Sequence, residues 1–168
     1  EWGKYPAEEL VRFIARNYYS VQDRKKIKIL DIGCGTGAST WYLAREGFCV
    51  TGIDGSKTAI KIANQRLVLE GLKFNLTVGD FIDLNYIDEA FDCVIDIASI
   101  QHNSYDNIKK IFNEVYRILK PGGKFFGIMI ALDETPNHNL VIHYFKYQEL
   151  KQLFVKFNNV NIGYVTRT

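Results

Sequence analysis

The sequence predicts an α/β protein, a three-layer sandwich around a mainly parallel, doubly wound sheet. Three observations predict it. Short β-branched runs such as Ile27–Ile32 and Cys49–Asp54 stop abruptly at glycine or polar residues, as buried strands do. Segments with apolar residues at helical spacing lie between such runs. Strand and helix then alternate along the chain, which is the order of βαβ units.

Taken in order, Ala7–Tyr19 spaces Leu10, Val11, Phe13, Ile14 and Tyr18 as one helical face, with Pro6 suited to a first turn. Ile27–Ile32 is the first strand, Ala38–Glu46 a helix and Cys49–Asp54 the second strand. Lys57–Glu70 is the longest helical pattern, with Gly71 just past its end. Phe74–Val78, Phe91–Ile97 and Lys124–Ile130 read as three more strands, and Asn107–Leu119 as the helix between the last two. Tyr147–Phe157 is expected to be a final helix and Val160–Thr166 a final strand.

Composition narrows the function classes. With 168 residues, one domain is expected, and 47% hydrophobic against 24% charged residues is the balance of a globular chain in water. A formal net charge of +2 gives no ground for a polyanionic partner, so no nucleic acid is expected. No apolar run approaches the roughly 18 residues that span a bilayer, and no signal peptide opens the sequence, so no membrane partner is expected. Cys34, Cys49 and Cys93 lie far apart, and His138 and His143 are five apart, so no metal site is read from them. Such a sparse, odd cysteine set suits reduced thiols in a cytoplasmic protein. Nothing in the sequence sets an oligomeric state.

Ligands of doubly wound sheets sit at the carboxyl ends of the strands, near the point where strand order reverses. Leu30-Asp31-Ile32-Gly33-Cys34-Gly35-Thr36-Gly37 occupies such a place after the first strand. Its glycines permit a tight turn and close approach of a ligand to the backbone. The spacing is GxGxG, not the GxGxxG of dinucleotide sites, and Asp31 precedes it. A pyrophosphate is disfavoured beside that carboxylate, whereas a cationic amino-acid group is favoured. Asp54 ends the second strand, seventeen residues after Gly37, where a carboxylate can accept two ribose hydroxyls or cap the helix that follows. Gly79-Asp80-Phe81 follows the third strand, and Leu119-Lys120-Pro121-Gly122-Gly123-Lys124 leads into the fifth.

Together these segments, over about Lys28 to Ile130, resemble the class I, Rossmann-like S-adenosylmethionine-dependent methyltransferases of the small-molecule type. The resemblance implies S-adenosylmethionine as cofactor. It assigns the methionyl part to Asp31, Gly33, Cys34, Gly35 and Gly37, and the ribose to Asp54 with Gly55 and Ser56. It assigns the adenine to Asp80 and Phe81, and places Ile97 at the end of the fourth strand beside the cofactor. The domain is then expected to comprise a helix and covering segment over 1–26, a cofactor core over 27–130 and a C-terminal helix and strand over 131–168.

Departures from the family pattern carry information too. The fourth strand is followed by Asp96-Ile97-Ala98-Ser99, not the Asn/Asp-Pro-Pro-Tyr turn of amino-directed DNA methyltransferases. No cysteine follows a proline, as cytosine-C5 enzymes require. The family sheet usually closes with a strand inserted between strands five and six, and nothing after Val160–Thr166 supplies it. Asp133–Asn139 is a short polar loop where relatives carry substrate-covering insertions.

The acceptor side is sketched by fewer residues. His102, in Ser99-Ile100-Gln101-His102-Asn103, lies where a base would reach the transferring methyl, or it orients the loop and caps the next helix. Gln101 and Tyr144 are candidate acceptor contacts, and Tyr144, Phe145 and Tyr147 are either pocket wall or core. Trp2 and Tyr5, in Trp2-Gly3-Lys4-Tyr5-Pro6, belong to a lid over the site or to an amphipathic tail packed on the sheet. The expected activity is methyl transfer to an oxygen or nitrogen of a small-molecule acceptor. The alternatives are a nicotinamide-dependent oxidoreductase and a non-catalytic S-adenosylmethionine-binding subunit.

Overall fold

The computed structural model describes residues 4–131 and 142–165. Trp2, His138, the Asp133–Asn139 loop and Thr166 therefore lie outside the described residues. Five strands, β1 (Lys28–Ile32), β2 (Cys49–Asp54), β3 (Asn75–Val78), β4 (Phe91–Ile97) and β5 (Leu119–Ile128), form one sheet in the order β3-β2-β1-β4-β5. Every pairing between them is parallel. β1 is central, with Ile32 opposite Ile53 of β2 on one side and Asp96 of β4 on the other. The order reverses between β1 and β4, so the crevice at their carboxyl ends is the expected ligand position.

Helices α1 (Glu8–Tyr18), α2 (Ala38–Arg45), α3 (Lys57–Leu69), α4 (Tyr105–Ile118) and α5 (Tyr147–Leu153) cover the two faces. Alternation along β1 sends Ile29 into one apolar cluster and Leu30 and Ile32 into the other. The first face packs against Leu10 and Ile14 of α1, Leu43 of α2 and Leu67 of α3. The second packs against Ile108, Ile111, Phe112 and Val115 of α4. Both faces being covered explains why the strands read as continuous apolar runs. Truncating fully buried Ile111 to alanine would cost about 2–5 kcal/mol.

Local signals set the element ends. Ser56 caps α3 by accepting from the Ala59 amide at 3.2 Å, and Ser104 starts α4 by accepting from Asn107 at 3.4 Å. The connection between β3 and β4 holds no helix. Arg117 of α4 fastens it, donating to the Leu84 carbonyl at 2.8 Å and the Tyr86 carbonyl at 2.7 Å.

Four expectations are corrected. Residues 160–165 of the expected final strand form no strand, because no neighbouring strand among the described residues supplies hydrogen-bond partners. The final helix stops at Leu153 instead of Phe157, because Phe154 and Phe157 turn inward and Phe154 meets Phe112 edge-on at 5.0 Å. β5 begins at Leu119, so the Pro-Gly-Gly segment is an irregularity within the β4–β5 pairing, where the register shifts between Phe91 and Cys93. Pro6 lies ahead of α1, which starts at Glu8 after Ala7.

Candidate cofactor and acceptor site

The turn after β1 places Gly33 (φ 62°) and Gly35 (φ 54°) in the left-handed region that disfavours side chains. Their surroundings differ. A Cβ on Gly33 would collide with Ser99, whereas one on Gly35 would meet nothing within 4 Å among the described residues. Gly33 is thus a packing glycine, and Gly35 faces open space at the crevice. Cys34 is buried, its amide bound to the Ile53 carbonyl at 3.0 Å, and burial pushes its thiol pKa up. Gly37 begins α2 with its amide on the Cys34 carbonyl at 2.9 Å.

Asp54 at the end of β2 organises this turn. Its Oδ2 accepts from the Gly35 amide at 2.8 Å, and its Oδ1 accepts from the Ser56 amide at 2.8 Å. It therefore supports the entry to α3, while Ser56 is the cap. Each carboxylate oxygen keeps acceptor capacity for a ribose hydroxyl. Gly55 and Ser56 are exposed beside it. The Gly79 amide donates to the Asp54 carbonyl at 3.1 Å, which sets Asp80 next to this group. Asp80 is exposed and accepts from the Ile82 amide at 2.9 Å. Phe81 is partly buried, its ring 3.7 Å from where a Gly33 Cβ would stand. The structure thus brings the glycine turn, Asp54, Asp80 and Phe81 together at the carboxyl ends of β1, β2 and β3.

Asp31 lies one layer deeper, 1% exposed, with Oδ2 accepting from the Thr40 hydroxyl at 2.6 Å. Burial pushes its pKa up to about 7, opposed by the Thr40 hydrogen bonds and aided by the charge of Asp54. Ile97 ends β4 opposite Ile128 of β5 and is partly buried.

The acceptor side is built differently. Gln101 is 2% exposed, its Oε1 accepting from the Ile130 amide at 2.9 Å and its carbonyl accepting from the His143 amide at 2.7 Å. It holds three segments together and offers little surface to a ligand. His102 is exposed in the one-turn helix Ile100–His102, and its amide donates to the Ser99 carbonyl at 3.1 Å. Tyr144 is half-buried, whereas Phe145 is core, its amide on the Ile130 carbonyl at 2.9 Å. Tyr147 is exposed. Tyr5 is not brought to these residues. It lies 69% exposed and edge-on to Trp41 of α2 at 6.4 Å, and the preceding Lys4 carbonyl accepts from Arg66 of α3 at 2.6 Å.

Three further residues shape the site and escaped the sequence reading. Thr40 satisfies Asp31. Asp96, fully buried, accepts from the Ser99 and Ile100 amides at 2.9 and 3.1 Å through Oδ1, while its Oδ2 has no hydrogen-bond partner among the described residues. Burial pushes the Asp96 pKa up to about 7 against those two bonds, and Asp31 adds to the rise. Ser99 donates to the Gly33 carbonyl at 3.0 Å. A carboxylate inside the apolar run Cys93–Ile97 was the visible signal for Asp96. Ser99 carried none, because its partner is 66 residues away.

These residues fit S-adenosylmethionine. The Gly35 amide, which a phosphate would need, is already given to Asp54, whose carboxylate borders the turn. That carboxylate suits a cationic amino-acid group and repels a pyrophosphate. Comparison with known proteins agrees. The family model described as "Methyltransferase domain" matches residues 29–123. The sterol 24-C-methyltransferase ERG6A of Gibberella zeae is 35% identical over 119 residues, 68% of this chain and 30% of that protein. The fatty-acid O-methyltransferase of Mycolicibacterium smegmatis is 32% identical over 139 residues, 80% of this chain and 48% of that protein. A solved S-adenosylmethionine-dependent methyltransferase from Methanosarcina mazei shares the fold, with a TM-score of 0.75 at 24% identity over 90% of this chain and 84% of its own. The chain spans less than half of the length of those two curated relatives, 30% of one and 48% of the other.

Proposed function

Because the chain belongs to the family of S-adenosylmethionine-dependent methyltransferase domains, we propose that it transfers a methyl group from that cofactor to an oxygen or nitrogen atom of a small-molecule acceptor. The observation that carries this reading is the turn itself, with open space at Gly35, its amide fixed by Asp54 and Asp31 beneath. The O-methylation named for the fatty-acid relative supports an oxygen acceptor, whereas the 24-C-methylation named for the sterol relative is a transfer to carbon; both names support an apolar acceptor.

S-adenosylmethionine supplies, when bound, an electrophilic methyl carbon on a sulfonium. The chain's residues bind and orient around it. Asp54 would take the ribose hydroxyls, Asp31 with Gly33–Gly37 the amino-acid part, and Asp80 with Phe81 the adenine. Holding an acceptor in line with the methyl can supply up to about 7–11 kcal/mol of the barrier. His102, exposed past β4, would take the proton that a hydroxyl or ammonium acceptor must lose, a contribution of typically 10²–10⁴-fold. Gln101 would serve by fixing the loop that carries His102, and Tyr144 would line the acceptor space.

The test is a panel of fatty acids, unsaturated sterol-like alcohols and amines incubated with chain and cofactor, read as S-adenosylhomocysteine release and, by NMR of the product, as the atom that carries the new methyl. Release with a hydroxyl, carboxyl or amine acceptor supports the proposal. Release only with acceptors methylated on carbon overturns the oxygen-or-nitrogen assignment.

A further inference from the structure

We propose that Ser99 is the positioning residue that couples the cofactor turn to the acceptor loop, so that ordering one orders the other. The proposal rests on the reading above only for the identity of the ligand.

Two loops meet at this residue. The Ser99 hydroxyl donates to the Gly33 carbonyl at 3.0 Å, joining the segment after β4 to the segment after β1. Ser99 also lies close over this glycine, because its Cβ and Oγ fill the space where a Gly33 side chain would stand. The hydrogen bond and this close packing tie displacement of the Gly33 peptide to Ser99.

On its own side, Ser99 sits in a heavily constrained turn. Ala98 has φ 61°, unfavourable for a residue with a Cβ, and its amide is held by the Ile128 carbonyl at 2.9 Å. The Asp96 carboxylate accepts from the Ser99 and Ile100 amides, and the Ser99 carbonyl accepts from the His102 amide. Gln101 then ties the same loop to Ile130 and His143. A displacement at Ser99 reaches His102 through this short chain of bonds.

The other end of the chain is the cofactor turn. Asp54 holds the Gly35 amide two residues from Gly33. A ligand that fastens Asp54 and the turn suppresses local opening of Gly33, and with it opening of Ser99 through His102. Reciprocity then requires that an acceptor which orders the His102 loop tightens cofactor binding by the same factor.

Amide hydrogen exchange tests this on wild type, Ser99→Ala and Ser99→Cys, each with and without S-adenosylhomocysteine. Without ligand, Ser99→Ala should speed exchange in both Cys34–Gly37 and residues 100–103 by roughly 3–10-fold, the factor for one neutral hydrogen bond. With ligand, wild type should gain protection in both segments. Ser99→Ala should bind with a dissociation constant within a few-fold of wild type yet gain protection only around the glycine turn. Ser99→Cys puts a weak donor on a bulkier atom in the same filled space and should also speed unliganded exchange in both segments relative to wild type. Unchanged exchange in unliganded Ser99→Ala, or undiminished ligand protection at 100–103, would overturn the coupling. Should the ligand bind neither protein, the cofactor assignment fails, and the unliganded comparison still decides whether Ser99 joins the loops.

Discussion

The Gly35 amide donates to Asp54 Oδ2 at 2.8 Å across nineteen residues of sequence, from the turn after β1 to the end of β2. One carboxylate therefore shapes the turn and presents acceptors to the crevice. Asp54→Ala should weaken S-adenosylhomocysteine binding by roughly 1.5–3 kcal/mol, the range for a charge-assisted hydrogen bond. It should also lower stability by about 1 kcal/mol, since the Gly35 and Ser56 amides lose their acceptor. Calorimetry and melting together check this. Wild-type affinity in the variant would mean that the ribose is held elsewhere.

Gly33 and Gly35 should respond differently to substitution. Gly33→Ala forces a Cβ into Ser99 and should destabilise the fold, seen as a lower melting temperature. The Cβ of Gly35→Val would meet no atom of the described residues within 4 Å, so its cost to the fold is mainly that of the positive φ, of order 1–3 kcal/mol. Its side chain fills the crevice, so it should abolish cofactor binding in a chain that still folds. Equal binding by Gly35→Val and wild type would leave the turn a purely structural element.

Much of this was legible in sequence. Runs such as Ile27–Ile32 and Phe91–Ile97 announced buried strands because both faces of the sheet are covered, and the glycine turn marked the crevice. Val160–Thr166 misled over its described residues 160–165 because β-branched spacing reports fitness for a pleated surface and not the presence of a partner strand. Gln101 read as a ligand contact because polarity next to a site looks the same whether it faces inward or outward. Thr40 and Ser99 stayed hidden because their roles are tertiary hydrogen bonds to residues brought near by the sheet.

Asp31 and Asp96 predict a pH dependence of stability. Both pKa values rise from 3.8 to about 7, chiefly through burial. Between these values the folded chain keeps protons that the unfolded chain has released, so stability falls as pH rises. Their contribution is full below about pH 4 and lost above about pH 7. Asp96→Asn cannot ionise yet keeps an acceptor for the Ser99 and Ile100 amides. Melting followed from pH 4.5 to 8 should decline less steeply in Asp96→Asn than in wild type. Parallel profiles would show that Asp96 does not titrate in this window.

His102→Ala should separate chemistry from binding. Its side chain is exposed in the one-turn helix Ile100–His102 that follows β4. Single-turnover methyl transfer with an acceptor from the panel should slow by about 10²-fold or more, with the cofactor dissociation constant within a factor of a few. Activity should partly return at high pH where the acceptor ionises unaided. Unchanged turnover would make His102 a loop residue and leave positioning to supply the rate.

The central claim is that the Gly33–Gly37 turn with Asp54 holds S-adenosylmethionine. Titration calorimetry with S-adenosylhomocysteine, paired with melting in its presence and in the presence of NAD, tests it most directly. The expected result is one site for S-adenosylhomocysteine and a stabilisation of about 2.7 kcal/mol at a hundredfold excess over its dissociation constant, with no response to NAD. No heat and no melting shift at millimolar S-adenosylhomocysteine, or a shift with NAD instead, would contradict it.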